Sequence, residues 1–283
     1  MIEEIYNKGM WTSAINSLMG TKVKANKQLL KDAIISAIRK RIPIKRFGIL
    51  FSGGIDSTLI ALICKILKKN FICYCVGLKD SKDVAYAKEI AEALRLRLKV
   101  REFSLDGAEL IIRDVTRLLN TNNVVKVGVG CVLYSAIKIA HRDKVCDFFS
   151  GLGSEEIFAG YQRHQLAKDV NKECWRGLKS MWERDIERDL KIANKLRANL
   201  LLPFLDKDVI KIAMNLPSSV KIGRGYKKLI LRQIASDLGL EERFAYRKKT
   251  AAQYGSRFDR AILRLAKRNG FKYKRDYLKS FLQ

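Results

Sequence analysis

Ser52-Gly53-Gly54-Ile55-Asp56-Ser57 follows directly on the apolar run 47–51 and leads into a helix-like stretch. Those residue types in that order build an anion site. Glycines let the backbone approach a ligand, and the free N–H groups and positive end of the following helix face it. Ser52 and Ser57 add hydroxyl donors. Asp56 adds the carboxylate that a phosphate-bound magnesium needs. The expected chemistry is the gripping of a nucleotide's phosphates. The spelling is not that of the common ATPase loop, G-x-x-x-x-G-K-S/T, nor of the dinucleotide fingerprint G-x-G-x-x-G.

A second stretch has the same make-up. The apolar run 145–150 passes into Gly151-Leu152-Gly153-Ser154-Glu155-Glu156, and Ala159-Gly160-Tyr161 follows. In open parallel sheets a ligand sits beyond the strand C-termini, where strand order reverses. If the two strands are neighbours there, Asp56 and Glu155 face one magnesium–pyrophosphate unit. Ser154-Glu155-Glu156 is equally a good helix N-terminus.

Such loops need strands before them and helices behind. Apolar runs predict strands at 47–51, 71–77, 98–103 and 145–150. Helical spacing predicts helices at 28–41, 58–69, 83–94, 107–119 and 131–141. The alternation argues a doubly wound α/β parallel sheet. Residues 160–195 read as charged and helical with no clear strand. The expected organisation is a lead-in at 1–28, a nucleotide-binding core at 29–160 and a mainly helical C-terminal part at 161–283 that completes the site.

Composition sets limits. The 283 residues are 48% hydrophobic and 9% aromatic, as in ordinary globular proteins. The N-terminus does not read as a signal peptide, and no apolar run reaches the roughly 18 residues of a membrane span, so the expected location is the cytoplasm, with no membrane partner. Six cysteines form no C-x-x-C pair, which leaves a zinc or iron–sulfur site without support. Lys and Arg number 56 against 29 Asp and Glu, a net charge of +27. That excess favours a polyanionic partner such as RNA, or a positive funnel for ATP.

Ser-Gly-Gly-x-Asp-Ser resembles the PP-loop of the ATP pyrophosphatase superfamily, which grips the β- and γ-phosphates while ATP is cleaved to AMP and pyrophosphate. The two loops together resemble the synthetase domain of asparagine synthetase, nearest the asparagine synthetase domain-containing proteins. Cys75-Val76-Gly77-Leu78, Leu202-Pro203-Phe204-Leu205-Asp206, Lys228-Leu229-Ile230-Leu231-Arg232 and Arg247-Lys248-Lys249 follow the pattern in order over residues 30–260. The resemblance implies ATP and Mg2+ as cofactors. It implies that Phe51, Val76, Ser150 and Gly151 frame the adenosine and that Ser52, Gly53, Gly54, Asp56 and Ser57 hold the pyrophosphate. Asp56 and Glu155 would bind the metal, and Lys228 and Lys249 would stabilise the developing charge as catalytic residues.

Two departures stand out. Leu152 replaces the glutamate between the family's two glycines, and Asn199-Leu200-Leu201 replaces E-A-R before the Pro-Phe-Leu-Asp motif. The glutaminase half is not expected, so nitrogen would come as ammonia, an amine or from a separate glutaminase. The expected function is an ATP-dependent, AMP- and pyrophosphate-forming carbon–nitrogen ligase acting on an aspartate-like carboxylate. The alternatives are a PP-loop enzyme that modifies tRNA and a non-catalytic nucleotide-binding regulator. Cys131 reads as a thiol at a helix start, where its pKa would fall. His141 reads as a helix cap and His164 as a residue near the pocket. The run 243–249, with Phe244 and Tyr246 interleaved, reads as a basic stretch able to stack on RNA or, equally, as a structural or pyrophosphate-facing segment.

Overall fold

The computed structural model describes residues 7–247 and 251–282. Two helices, α1 (Lys8–Leu18) and α2 (Lys27–Arg39), precede the first strand, β1 (Phe47–Leu50). Then follow α3 (Ile55–Ile66), β2 (Phe71–Leu78), α4 (Lys82–Ala93), β3 (Leu98–Phe103), α5 (Leu105–Leu119), α6 (Val124–Ala140) and β4 (Asp147–Phe149). The remainder is helical save for three short strands. It contains α7 (Ser154–Ile157), α8 (Gln162–Leu166), α9 (Val170–Met181), α10 (Glu187–Lys195), β5 (Asn199–Leu201), α11 (Lys207–Asn215), α12 (Ser218–Lys221), β6 (Ile222–Gly223), β7 (Tyr226–Lys227), α13 (Leu229–Asp237), α14 (Glu242–Ala245), α15 (Ala252–Gly255), α16 (Phe258–Arg268) and α17 (Lys274–Lys279).

The five-stranded sheet has the order β3-β2-β1-β4-β5, and every neighbouring pair is parallel. The order reverses between β1 and β4. The two Gly-rich loops therefore leave the sheet side by side at its C-terminal edge. Chain past residue 160 supplies β5, which pairs with β4 through Phe148↔Leu200. Its three residues are too short for the alternation that marks a strand in sequence.

Helices cover both faces of the sheet. Strand β2 shows the consequence, since all eight of its residues are buried. Phe71, Cys73 and Cys75 join one apolar cluster, and Ile72, Tyr74, Val76 and Leu78 join the other. Side chains alternate across a strand, so an unbroken apolar run belongs to a sheet packed on both sides.

Within the expected lead-in, 1–28, α1 docks on α9 through buried Trp11, whose Nε1–H donates to the Leu178 carbonyl at 2.9 Å. Helix α6 begins at Val124, capped by Asn123, not at 131. Gly128 and Gly130 disguise the start, but each lies inside the helix at a close approach, Gly130 against Val115 and Gly128 against Gln253. With the one turn that continues it, the helix runs 20 residues, Val124–Asp143, and an 18-residue window of it has a mean hydropathy of 1.4. By length and composition that suffices to cross a membrane. Here 56% of that window is buried, against α5, α10, α16 and β2.

Candidate active site

Local backbone demands shape the first loop. Phe51 N–H donates to the Tyr74 carbonyl at 2.9 Å, extending the ladder one step past β1. Gly53 then takes a positive φ of 61°, and a Cβ there would lie 3.1 Å from the backbone of Tyr86 and Ala87 in α4. Only glycine meets both conditions without strain. Helix α3 starts at Ile55, three residues earlier than expected, with Gly54 as its N-cap. Asp56 and Ser57 thus sit in its first turn, where the helix dipole favours negative charge. Ser57 Oγ donates to the Gly54 carbonyl at 3.2 Å and accepts from Ser52 N–H at 3.4 Å.

The second loop leaves β4 beside it. Gly151 fits because a Cβ would stand 2.8 Å from Asp56 Cβ. Gly153 has a φ of 94°, which turns the chain into α7. The two glutamates of that turn part company. Glu155 faces the loop of Asp56. Glu156 is buried and bound by Arg163 and Arg184. Burial pushes the Glu156 carboxyl up, and the two guanidinium groups offset that only in part.

Lys228 joins the loops. Its Nζ donates to Asp56 Oδ2 at 2.7 Å, to Glu155 Oε1 at 2.6 Å and to Ser154 Oγ at 3.1 Å. The residue caps α13 with a φ of 54° and is buried. Burial alone would lower its pKa. The charges of Asp56 and Glu155 outweigh burial and hold it above the ordinary value, so the side chain is an ammonium. Gly160 makes room for this bridge, since a Cβ there would fall 1.7 Å from Glu155 Oε2 and 2.4 Å from Lys228 Cε.

Asp56 Oδ1 is buried and has no hydrogen-bond partner among the described residues. An orphaned carboxylate oxygen beside a second carboxylate suits a hard, oxygen-seeking cation. No cluster of three or more acidic, histidine or cysteine ligands exists among the described residues. Magnesium commonly takes only one or two carboxylates and completes its shell with phosphate oxygens and water. Asp56 and Glu155 fit that description.

Two cavities meet at the bridge. One, of about 210 Å³, lies over the ends of β1, β2 and β4. Its walls include Phe51, Val76, Ser150 and Gly151, expected about the adenosine, and Ser52, Asp56 and Ser57, expected about the pyrophosphate. Leu152 lines it too. The other, of about 380 Å³, is polar and takes in Lys227, Lys228, Arg232 and Arg247. Asp56 and Glu155 line both. Gly53 and Gly54 lie in the loop between Ser52 and Asp56. Lys249 and its neighbour Lys248 lie outside the described residues.

The sequence reading missed several residues that the fold brings in. Val129, Val132, Leu133 and Ala136 form one stripe of α6 along the apolar cavity. That spacing looks like any core face. Arg188 and Asp189 of α10 line the same cavity, with Arg188 Nε–H donating to Asp189 Oδ1 at 2.7 Å. Their stretch of sequence reads as a charged surface helix, and no local signal betrays them. Burial pushes the Asp189 carboxyl up, although the Arg188 charge opposes it. Arg247 was passed over for Lys249. Its guanidinium donates to the Gly53 carbonyl and lies 3.5 Å from the centroid of the Tyr86 ring. Arg232 holds that segment by donating to the carbonyls of Lys227, Ala245 and Arg247.

Other expectations fall away. Cys131 sits in mid-helix, fully buried, and burial raises its thiol well above the ordinary value. Phe244 is buried under Arg243, and Tyr246 packs edge-on against Tyr226, so both rings have protein partners in place of bases. His141 does cap α6. His164 is buried outside both cavities, and its Nδ1 accepts from Tyr161 N–H at 3.1 Å.

Fold and site define a class: an α/β protein with two Gly-rich loops side by side at the switch point of a parallel sheet. Comparison with known proteins supplies the family. The Asparagine synthase family matches residues 26–169 and 164–272, and the chain belongs to that family. A Methanocaldococcus jannaschii protein, provisionally named a glutamine-hydrolyzing asparagine synthetase, is 30% identical over 92% of this chain and 55% of its own length. The glutamine-hydrolyzing nodule asparagine synthetase of Pisum sativum is 30% identical over 74% of this chain and 39% of its own. The chain thus spans about half, or less, of the curated relatives it matches. A solved structure from M. jannaschii, titled a predicted subunit of tRNA methyltransferase, aligns over 71% of this chain and 92% of that one. Its 16% identity and TM-score of 0.34 carry no argument.

Proposed function

We propose that this chain is an ATP-dependent carbon–nitrogen ligase. It would adenylate a carboxylate with release of pyrophosphate and then pass ammonia or an amine to the acyl carbon. One observation carries the reading: the Lys228 ammonium bridges Asp56 and Glu155 where an apolar cavity meets a basic one.

In the proposed reaction a carboxylate oxygen attacks the α-phosphorus of ATP. The bond from that phosphorus to the bridging oxygen breaks, and pyrophosphate leaves with the charge. The amine nitrogen then attacks the acyl carbon, AMP departs, and the nitrogen loses a proton to water. The protein's part is positioning and neutralisation of charge. Phe51, Val76, Ser150 and Gly151 would hold the adenosine. The loop from Ser52 to Ser57 would hold the pyrophosphate, with Lys228 and Arg247 countering its charge and Lys249 as a further candidate. Magnesium, bound by Asp56 and Glu155, would shield the phosphates. In this reading residues 29–160 form the nucleotide core and 161–283 complete the site, since Lys228 and Arg247 come from the second part.

The Leu152 side chain can neither move a proton nor accept a hydrogen bond, so the acyl substrate is given only as an aspartate-like carboxylate. The net charge of +27 favours a second reading, in which the carboxylate or carbonyl is carried on tRNA.

The test is pyrophosphate and AMP release from Mg–ATP, with aspartate plus ammonium and total tRNA added separately. Asp56→Ala and Lys228→Ala should each lower release about 100- to 1,000-fold, the scale for removing one group that stabilises developing charge. Release only with tRNA would select the second reading. Release that survives Asp56→Ala would overturn the site, and tight ATP binding with no release would favour a non-catalytic regulator.

A further inference from the structure

The edge of the sheet opposite the phosphate loops carries a line of unpaired cations. All five strands are parallel, so the five connections that enter them lie along one edge. Lys45 and Arg46 precede β1, and Lys68 and Lys69 precede β2. Arg95 and Arg97 precede β3. Arg142 and Lys144 precede β4, and Lys195 and Arg197 precede β5. All ten are exposed, and none makes an ion pair among the described residues. Elsewhere on the surface some cations pair, as in Lys88–Glu102 and Lys191–Glu187, and others, such as Lys22 and Lys172, do not among the described residues, so what sets these ten apart is their alignment along one edge. Between the last residue of each preceding helix and its strand the one acid is Asp143, already engaged by Tyr74 and Lys99.

A helix C-terminus attracts cations through its dipole, but only within the last turn. Lys45, Arg46 and Arg97 lie beyond that reach, so the dipole does not account for the line. Strand spacing of about 4.8 Å makes the edge roughly 19 Å long. Lys65, Lys68, Lys69, Asn70, Arg95 and Arg97 shape its β2–β3 end into an open groove of about 410 Å³.

We propose that this edge is an RNA-binding surface that grips the phosphodiester backbone without reading sequence. An open groove lined by lysines and arginines can track a sugar–phosphate strand, and exposed single strands and loops are the usual presentation of RNA to proteins. No exposed aromatic ring stands in these connections, so contact is to phosphates. An anionic membrane is the competing partner, because Ile44 is fully exposed beside Lys45. A groove meets a flat bilayer poorly. The surface lies at the far end of the strands from the nucleotide site, and the inference does not depend on the proposed reaction.

The test compares two fourfold variants of equal charge in anisotropy titrations with an unstructured RNA oligonucleotide. The first is Lys68→Gln, Lys69→Gln, Arg95→Gln and Arg97→Gln. The second is Lys22→Gln, Lys24→Gln, Lys172→Gln and Lys179→Gln, all exposed and outside these connections. At about 0.7 of salt slope per phosphate contact, the first should lose about 3 from the slope of log K against log salt. At physiological salt it should bind about a hundredfold more weakly. The second should change little. Equal losses in both variants would reduce the effect to net charge and overturn the surface. So would absence of RNA binding by the unmodified protein, a preference for duplex DNA, or rim-dependent binding to phosphatidylserine vesicles in place of RNA. Thermal unfolding of both variants checks that they fold.

Discussion

Single atoms decide the site. Glu155, Lys228 and Asp56 meet only because position 160 has no side chain. Gly160→Ala should therefore abolish pyrophosphate release while leaving the unfolding temperature within a few degrees. A collapse of stability with activity retained per folded molecule would contradict this. His164 makes a pH-dependent prediction. Burial and nearby cations, Arg163 first, lower its pKa from 6.5 to about 3. The unfolded chain binds that proton below pH 6.5 and the folded chain does not. Stability contributed by neutral His164 is thus complete above pH 6.5 and drains away as pH falls towards 3, at up to about 1.4 kcal/mol per unit. Denaturant titrations between pH 7 and 4.5 should show a shallower decline in His164→Gln than in the unmodified chain.

At the level of elements, Asp206 holds the joint between α2 and α11. Its carboxylate accepts from Arg41 at 2.8 Å, pairs with Lys40, and caps α11 through the Asp208 N–H at 3.1 Å. Burial raises its pKa, but Lys40 and Arg41 more than reverse that and hold it below the ordinary 3.8. This contribution is present above that pH and is lost as pH falls through the lowered value. Asp206→Ala removes the carboxylate that Lys40 and Arg41 share, while Arg41 keeps its bond to the Ala37 carbonyl at 3.0 Å. The cost should be about 1.5–3 kcal/mol in urea unfolding at pH 7, the scale of a hydrogen bond to a charged group. A loss below 1 kcal/mol would mean that the motif shapes the site and not the joint.

The two halves of the chain are joined by the β4–β5 pairing and by helices packed on α6, and they meet again at the candidate site. Asp56 and Lys228 come from opposite ends of the chain and share one hydrogen bond. Mg–ATP should therefore stabilise the protein as one unit, by about 2.7 kcal/mol at a hundred times its dissociation constant. Calorimetry should show one transition that moves upward with ligand, and Lys228→Ala should blunt the shift. Two transitions, only one of them ligand-sensitive, would separate the halves. Ten of the chain's 56 lysines and arginines line one edge of the sheet.

Much of the site was legible because its signals are local. A glycine needed at positive φ, an acid in a first helical turn and an apolar run buried on both faces each follow from a few adjacent residues. The loops at Ser52–Ser57 and 150–155 and four of the five sheet strands were readable for that reason. Strand β5 was too short to show a period, and the start of α6 hid behind two glycines whose role is close packing. Strand order put Glu155 beside Asp56, helix packing turned a stripe of α6 and the Arg188–Asp189 pair into cavity walls, and the hold of Arg232 on its segment brought Arg247 to the Gly53 carbonyl. The basic edge has the same origin. Its pairs are scattered from residue 45 to residue 197, and only a parallel sheet, which sends every strand the same way, lines them up.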